Sequence, residues 1–206
     1  MELQPYIKGE EKFGAITSKL YSAFAHIALD RMYNLVVDDL VKLHPKSILE
    51  VGSGPGDLAI KLSKRMPSSI IYCVDPSVYM RKIALKKIEK HTAKNIIYLT
   101  GSSRHVPLKR RFNVIISTLS FHHWMRKKES LLYLASLLNQ KGKILIYEYD
   151  RERLRYPFRL FLGGHSLDID DIKNLNISGL AYKINKRPPF LSVEFYQRNQ
   201  GNQLMK

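Results

Sequence analysis

Three glycines at alternate positions follow an apolar run and are the residues best suited to hold a ligand. Residues 48–56 read ILEVGSGPG, with an acid at Glu50, glycines at Gly52, Gly54 and Gly56, and Ser53 between them. Glycine adopts backbone angles that other residues avoid, and it lets a ligand lie against the main chain. A helix that begins just after such a turn offers free N–H groups to a negative group. The segment therefore predicts a loop that holds a nucleoside-like cofactor.

The spacing of the glycines argues against a dinucleotide. A dinucleotide loop has the pattern G-x-G-x-x-G, whereas here Asp57 stands where that pattern requires its third glycine. Pro55 stiffens the turn, and the acid at Glu50 suits an amine-bearing ligand better than a pyrophosphate. The alternative is a plain strand-to-helix turn that holds no ligand.

The glycine loop resembles the first motif of class I S-adenosylmethionine-dependent methyltransferases, and the resemblance covers residues 47–197. Residues 117–124, which read STLSFHHW, resemble the type 11 and ubiquinone-biosynthesis-like members of that family. The resemblance implies S-adenosyl-L-methionine as cofactor and methyl transfer as the reaction. It also implies a Rossmann-like α/β fold, in which a mainly parallel sheet of seven strands has the order 3-2-1-4-5-7-6 and the last strand is antiparallel.

The resemblance assigns cofactor ligands at the ends of the first two strands. Asp75 would accept hydrogen bonds from the ribose hydroxyls, with Pro76 beside it and Met80 packed on the adenine, while Glu50 would face the methionine amine. Two plainer interpretations stay open. Asp75 precedes a proline and can cap a helix, and Glu50 can be a strand-end carboxylate bonded to nearby amides.

The loop after the third predicted strand departs from the family pattern. Residues 100–108 read TGSSRHVPL, and Ser102 stands where many relatives carry an aspartate that holds the adenine amino group. A hydroxyl accepts a hydrogen bond there without a charge, whereas the spacing of Pro107 is kept. Ser102 and its neighbour Ser103 are therefore cofactor-binding candidates.

The motif after the fourth predicted strand supplies the candidate catalytic groups. In relatives its backbone lies under the methionine part of the cofactor, which makes Ser117 a binding candidate. His122 and His123 are candidates to orient a substrate or to accept a proton near neutral pH. The alternative is that one histidine packs and caps while Trp124 fills the core. Methyl transfer depends mainly on alignment, because the sulfonium is already activated, so an essential catalytic residue is not required.

Short β-branched strands alternate with helices and must position these residues. This alternation predicts a parallel sheet covered on both faces, with the ligand at the carboxyl ends of the strands. The predicted strands cover residues 47–51, 69–74, 96–99, 112–117, 143–149, 180–185 and 190–197. The predicted helices cover residues 16–43 (as one helix or two), 57–66, 76–91, 126–139 and 169–175.

Domain boundaries follow from the same pattern. We expect one domain overall, with an N-terminal helical extension over residues 1–45, the methyltransferase domain over 46–198 and a tail over 199–206. Residues 1–12 have the composition of a loose arm. The arginine- and aromatic-rich segment 151–162 stands where many relatives carry a substrate lid, although an ordinary packed helix explains it equally well.

Composition limits the class of protein. The 206 residues include no apolar run near the length of a membrane span, and Cys73 lies inside an apolar run as a buried thiol. No metal site is predicted, and we expect a cytoplasmic location. The formal charge of +16 would allow a basic surface to bind RNA, DNA, an anionic lipid surface or an acidic metabolite, and the alternative is a solvated, lysine-rich surface. The basic clusters are residues 81–94, 104–111, 126–128 and 151–159.

The function predicted from these observations is methyl transfer from S-adenosyl-L-methionine to a small-molecule or lipid-like acceptor. An RNA or protein methyltransferase that uses the basic surface is the alternative among enzymes. A non-catalytic module that binds S-adenosyl-L-methionine is the alternative outside them. No Asn/Asp-Pro-Pro-Tyr signature follows the fourth strand, which argues against methylation of base amines of the adenine type. The oligomeric state is open.

Overall fold

The computed structural model describes residues 24–154 and 166–198, with side chains from residue 29 onward. Within these residues, one sheet of eight strands carries helices on both faces. The strands are β1 (Ser47–Val51), β2 (Ile70–Asp75), β3 (Ile96–Thr100), β4 (Phe112–Thr118), β5 (Leu138–Asp150), β6 (Ser166–Leu167), β7 (Leu180–Arg187) and β8 (Phe190–Gln197). The α-helices are α1 (Phe24–Leu43), α2 (Asp57–Arg65), α3 (Val78–Lys90), α4 (Lys127–Ser136) and α5 (Ile169–Lys173). Two short 3-10 turns, Phe121–His123 and Arg151–Arg153, follow β4 and β5.

The strand order is β3-β2-β1-β4-β5-β8-β7, and the short β6 pairs with β5. Strand β8 is antiparallel to both β5 and β7, whereas the other pairs are parallel. The predicted order is confirmed, because β7 and β8 are the sixth and seventh predicted strands. The prediction missed β6, since two residues carry no periodic pattern. With β1 between β2 and β4, the loops that follow these three strands meet at one edge of the sheet.

Both faces of the sheet are buried, which explains why β1 is buried at all five positions. Helices α1, α2 and α3 cover one face, where Met32, Leu58 and Ala84 pack on Ile48 and Ile71. Helices α4 and α5 cover the other face. There Leu131, Leu134 and Ile172 join the apolar side chains of β4 and β5 in a second core. Cys73 is buried in the first core, as predicted.

Most elements differ from the prediction by one or two residues at a boundary, and two of the differences have a clear structural cause. Helix α3 begins at Val78 rather than at Pro76, because the hydroxyl of Ser77 caps it by accepting from the N–H of Met80 over 3.2 Å. Helix α4 ends at Ser136, and β5 begins already at Leu138. Leucine spacing alone extended that helix too far. Leu138 instead pairs with Phe112 at the start of β4, and the register then shifts before β5 continues.

Several predictions fall partly or wholly outside the described residues. They concern the arm at residues 1–12, the first part of the helix predicted over 16–43, most of the segment 151–162 and the tail over 199–206. Among the helices that the structure describes, none is both long and apolar enough to cross a bilayer.

Candidate active site

The loop between β1 and α2 contains three glycines whose backbone angles would be strained in a residue with a side chain. Gly52, Gly54 and Gly56 have φ angles of 76°, 51° and 78°, in the left-handed region that favours glycine. A β-carbon on Gly52 would stand 2.6 Å from the Cβ of Ser120, so this glycine lets the loop after β4 approach. A β-carbon on Gly54 would meet no atom within 4 Å among the described residues. Gly54 therefore presents bare main chain to open space, as a ligand cradle does.

Asp75 at the end of β2 braces this loop. Its Oδ2 accepts from the N–H of Gly54 over 2.9 Å, and its Oδ1 accepts from the N–H of Ser77 over 2.9 Å. The alternative in which Asp75 caps α3 is wrong, because Ser77 is the cap. A carboxylate offers about four acceptor positions. Bracing the loop and holding ribose hydroxyls are thus compatible roles for Asp75.

A tyrosine that the sequence analysis did not identify also holds the loop. Tyr98 in β3 donates its hydroxyl to the carbonyl of Gly54 over 2.5 Å. Gly54 is therefore fixed through both its N–H and its carbonyl. No pattern in the sequence points to Tyr98, because this contact joins residues 44 positions apart.

Glu50 is buried beside β2. Its Oε2 lies 3.7 Å from the Sγ of Cys73, and its main-chain carbonyl accepts from the Ser53 hydroxyl over 2.9 Å. Burial raises the pKa of the Glu50 carboxyl to about 8, and the nearby Asp75 acts in the same direction. A cation beside Glu50 would favour its ionised form. This environment suits the amine-facing role predicted for Glu50 better than that of a carboxylate satisfied by amides.

The two serines after β3 are both buried but have different surroundings. The Ser102 hydroxyl accepts from the N–H of Arg104 over 3.3 Å. The Ser103 hydroxyl lies 2.8 Å from that of Ser130 and so joins this loop to α4. The structure therefore brings Ser102 to the edge of the sheet where β2 and β3 end, whereas it turns Ser103 towards a helix.

Pro76 and Met80 lie at the start of α3 and are both partly exposed. Met80 occupies the first turn of the helix, next to the strand end that carries Asp75. Both predicted positions are thus at the same edge of the sheet as the glycine loop.

The carboxyl end of β4 contains two buried hydroxyls that have no hydrogen-bond partner among the described residues. Neither Ser117 Oγ nor Thr118 Oγ1 makes a hydrogen bond to any residue that the structure describes. Unsatisfied buried polar groups are rare and destabilising, so their position at this edge indicates a site for polar atoms of a ligand. Ser117 was predicted, whereas Thr118 was missed although it stands next to it in the same motif.

The loop after β4 carries the predicted histidines into contact with a residue that the sequence analysis missed. Nδ1 of His122 lies 3.0 Å from Oε2 of Glu148, and the N–H of His122 donates to Oε1 over 3.3 Å. The His123 ring packs against that of His122 in a tilted arrangement, with 3.9 Å between centroids. Trp124 packs in the core against Phe121, as the plainer interpretation predicted. The signal for Glu148 is an acid inside the apolar run ILIYEYD.

The basic clusters are not all surface features. Arg104 is only 3% exposed, so it does not contribute to a basic surface as its sequence cluster suggested. Arg110 lies over the ring of Tyr72, 4.4 Å from its centroid. Within the described residues, no group of three or more His, Cys, Asp or Glu side chains could hold a metal ion.

Comparison with known proteins agrees with this geometry. A family model for the methyltransferase domain matches residues 48–142, which run from β1 to the start of β5. The chain contains a methyltransferase domain. The resemblance noted in the glycine loop is therefore confirmed, and the domain includes the glycine loop, Asp75, both serines after β3 and both histidines.

Relatives of this methyltransferase domain differ in the activities for which they are named. The ubiquinone/menaquinone biosynthesis C-methyltransferase UbiE of Wigglesworthia glossinidia brevipalpis is 30% identical over 119 residues, which are 56% of this chain and 48% of that protein. A malonyl-[acyl-carrier protein] O-methyltransferase of Geobacter sulfurreducens is 31% identical over 113 residues, or 54% of this chain and 40% of that protein. The chain thus spans about half the length of the curated relatives it matches, or less.

Solved structures with the same fold cover more of this chain. The plantazolicin methyltransferase BpumL, in complex with a triazolic desmethylPZN analog and SAH, has a TM-score of 0.68 at 15% identity and covers 85% of this chain and 90% of its own. An O-methyltransferase family protein from Burkholderia thailandensis has a TM-score of 0.68 at 17% identity, covering 84% and 57%. At these identities the likeness shows the α/β fold with its mainly parallel sheet.

Proposed function

We propose that this chain transfers a methyl group from S-adenosyl-L-methionine to a small-molecule or lipid-like acceptor. The observation that supports this most is the bare main chain of Gly54, which faces open space and is fixed by Asp75 and Tyr98. The cradle is pre-formed, so binding does not have to order the loop.

The residues at this edge fit the parts of S-adenosyl-L-methionine. Glu50 meets the amine, because its buried carboxyl gains a cationic partner there. Asp75 accepts from the ribose hydroxyls, and Ser102 accepts from the adenine. Ser117 and Thr118 supply hydroxyls that lack partners in the described protein. When bound, the sulfonium supplies an activated methyl group, and the protein's task is to align the acceptor with it.

The names of two relatives support a small-molecule or lipid-like acceptor. One relative is named for quinone biosynthesis and another for methylating a malonyl group on a carrier protein. Both names describe small or carried organic acceptors rather than RNA. The net charge of +16 leaves an RNA acceptor as an outcome to be tested.

Binding is tested first, by calorimetry with S-adenosyl-L-methionine and with its demethylated product. We expect wild type to bind both ligands, and Gly54→Arg to lose binding because the side chain fills the cradle. Gly179→Arg is the matched control, since Gly179 also has a positive φ and open space around it but lies before β7. Failure of wild type to bind either ligand would remove the proposed function.

Turnover is tested next with S-adenosyl-L-methionine that is labelled in its methyl group. Lipid, small-molecule and RNA fractions of a cell extract are incubated separately with wild type and with Gly54→Arg. Label in a lipid or small-molecule fraction supports the proposal. If label appears only in RNA, and the affinity of the protein for RNA falls steeply with salt, the RNA methyltransferase alternative replaces the proposal. If the protein binds S-adenosyl-L-methionine but transfers no label to any fraction, the non-catalytic binding module is the remaining alternative.

A further inference from the structure

Glu148 is a carboxyl group buried in the middle of the sheet. It is 0% exposed, and its strand β5 is paired on one side with β4 and on the other with β8. Burying a carboxylate is strongly unfavourable unless hydrogen bonds compensate for the lost water. Among the described residues, the hydrogen-bond partners of Glu148 are the ring Nδ1 and the main-chain N–H of His122. The buried carboxyl group of Glu148 is thus hydrogen-bonded to a single histidine among the described residues.

The loop that carries His122 is fixed at several further points. The N–H of Leu119 donates to the carbonyl of Tyr147 over 2.9 Å. Lys127 donates to the carbonyl of Trp124 over 3.0 Å and to that of His122 over 3.4 Å. Both the backbone and the ring of His122 are therefore held. Such constraint is unnecessary for a residue that only fills space.

The same loop lies against the cofactor cradle. Ser120, two residues before His122, occupies the space that a side chain on Gly52 would need. The His122–Glu148 pair is therefore in the loop that packs on the glycine loop. This is the edge of the sheet where the methyl group would be transferred.

We infer that Glu148 is a positioning residue that holds His122 as the proton acceptor of the reaction. The inference rests on the proposed function and narrows its substrate class. An ionised carboxylate only accepts hydrogen bonds, so its contact with Nδ1 places the ring proton on that nitrogen. Nε2 of the neutral ring then carries the lone pair. The acceptor is accordingly a compound whose hydroxyl proton must leave as it is methylated, such as a phenol, an enol or a quinol.

The proton and the electrons balance as follows. An electron pair of the acceptor forms the new bond to the methyl carbon, at oxygen or at a ring carbon activated by loss of the hydroxyl proton. The pair of the breaking carbon–sulfur bond stays with sulfur, which leaves as a neutral thioether. The hydroxyl proton moves to Nε2 of His122 and passes later to solvent. After methylation at a ring carbon, the proton of that carbon leaves and the oxygen regains a proton, so one proton is released overall in either case. The resulting imidazolium keeps its Nδ1–H bond to the Glu148 carboxylate.

The deciding variant is Glu148→Gln, which keeps the size of the side chain. Glutamine offers one acceptor and one donor in place of two acceptors. When the glutamine oxygen accepts from the main-chain N–H of His122, the glutamine amide nitrogen faces Nδ1 of the ring and donates to it. The ring proton then lies on Nε2, so Nε2 can no longer accept a proton from the substrate. His122→Gln removes the ring. Glu194→Gln on β8 is the matched control, because Glu194 pairs with Lys143 away from the histidines.

The experiment combines a spectrum with a rate. Nitrogen NMR of histidine-labelled protein should find the proton of His122 on Nδ1 in wild type and on Nε2 in Glu148→Gln. The initial rate of label transfer into the responding extract fraction should fall about 100-fold or more in Glu148→Gln and His122→Gln. Glu194→Gln should match wild type, and all variants should bind S-adenosyl-L-methionine within about twofold of wild type, since general-base loss acts on the rate.

Two results overturn the inference and leave the proposed function intact. One is a wild-type His122 with its proton on Nε2. The other is a Glu148→Gln variant that transfers label at the wild-type rate. If wild type itself transfers no label to any fraction, the proposed function fails and the role of His122 fails with it.

Discussion

The N–H of Gly54 donates a hydrogen bond of 2.9 Å to Oδ2 of Asp75, across 21 positions of sequence. This bond ties the loop after β1 to the end of β2. The carboxylate that is predicted to hold the ribose therefore also sets the shape of the cradle in which the ribose lies. Changes at Asp75 should consequently affect stability and ligand affinity together.

Asp75→Asn is expected to destabilise the protein by about 1–3 kcal/mol and to weaken binding of the demethylated product. One side-chain oxygen becomes a donor, so either Gly54 or Ser77 loses its acceptor in a buried setting. Urea unfolding and calorimetry measure the two effects. Asp57→Asn is the control, because that carboxylate forms a partly exposed pair with Lys87. Equal effects from both substitutions would contradict this role for Asp75.

Gly54→Ala and Gly179→Ala should have similar effects on stability but different effects on binding. Both glycines have positive φ and open space beyond the α-carbon, so each alanine should cost about 1–2 kcal/mol through backbone strain alone. Only Gly54→Ala puts a methyl group in the cradle. Thermal unfolding should thus give similar shifts, whereas calorimetry should show weaker binding for Gly54→Ala alone. Unchanged affinity in Gly54→Ala would show that no ligand lies against this glycine.

Gly52→Ala should be more destabilising than Gly54→Ala, because the new methyl group collides with the side chain of Ser120. Ser120→Gly removes that side chain. A double-mutant cycle measured by urea unfolding should therefore show a favourable coupling of about 0.5–3 kcal/mol. The strain of the positive φ at position 52 would remain in the double variant. Strict additivity would mean that the two loops do not touch as described.

Ser117→Ala should separate stability from binding. The Ser117 hydroxyl is buried and has no partner among the described residues, so its removal should leave the unfolding free energy unchanged or raise it by up to about 1 kcal/mol. Affinity for S-adenosyl-L-methionine should fall if the hydroxyl contacts the ligand. Ser130→Ala is the comparison, since it breaks a buried hydrogen bond to Ser103 and should destabilise. A clear loss of stability in Ser117→Ala would reveal a partner for its hydroxyl within the protein.

Glu50→Gln should become increasingly stable relative to wild type as the pH rises. The pKa of the Glu50 carboxyl is raised from its usual 4.5 to about 8 by burial. Its contribution to stability is therefore complete below pH 4.5 and is lost as the pH rises towards 8, by about 1.4 kcal/mol for each pH unit. Unfolding of both proteins should be compared at pH 5, 6.5 and 8.5.

A bound ligand provides the second readout for Glu50. If the amine of S-adenosyl-L-methionine lies beside this carboxyl, saturating ligand should shrink the pH-dependent difference between Glu50→Gln and wild type. If the curves of unfolding free energy against pH run parallel for wild type and Glu50→Gln without ligand, the raised pKa of Glu50 is contradicted. If saturating ligand does not change the pH-dependent stability difference between Glu50→Gln and wild type, the amine does not lie beside Glu50.

Local patterns were sufficient to predict most elements of this fold. Strand β1 was predicted with its observed bounds, because the apolar run Ser47–Val51 stops at a glycine turn. The misplaced boundary between α4 and β5 shows the limit of such patterns. Leu138 fits helical spacing, but it pairs with Phe112 on β4, which only the assembled sheet reveals. Tertiary pairing there overrides a local apolar period.

The sequence by itself determined the class of fold, the glycine cradle and most of the candidate ligands, from Glu50 to His123. These follow from local chemistry, since backbone conformation at Gly54 or an acid at a strand end is encoded within a few residues. Only the tertiary structure decided which side chains face one another. It turned Ser103 towards Ser130, buried Arg104, and brought Glu148 to His122 across 26 positions. Such contacts depend on strand order and register, which join distant segments that no local pattern relates.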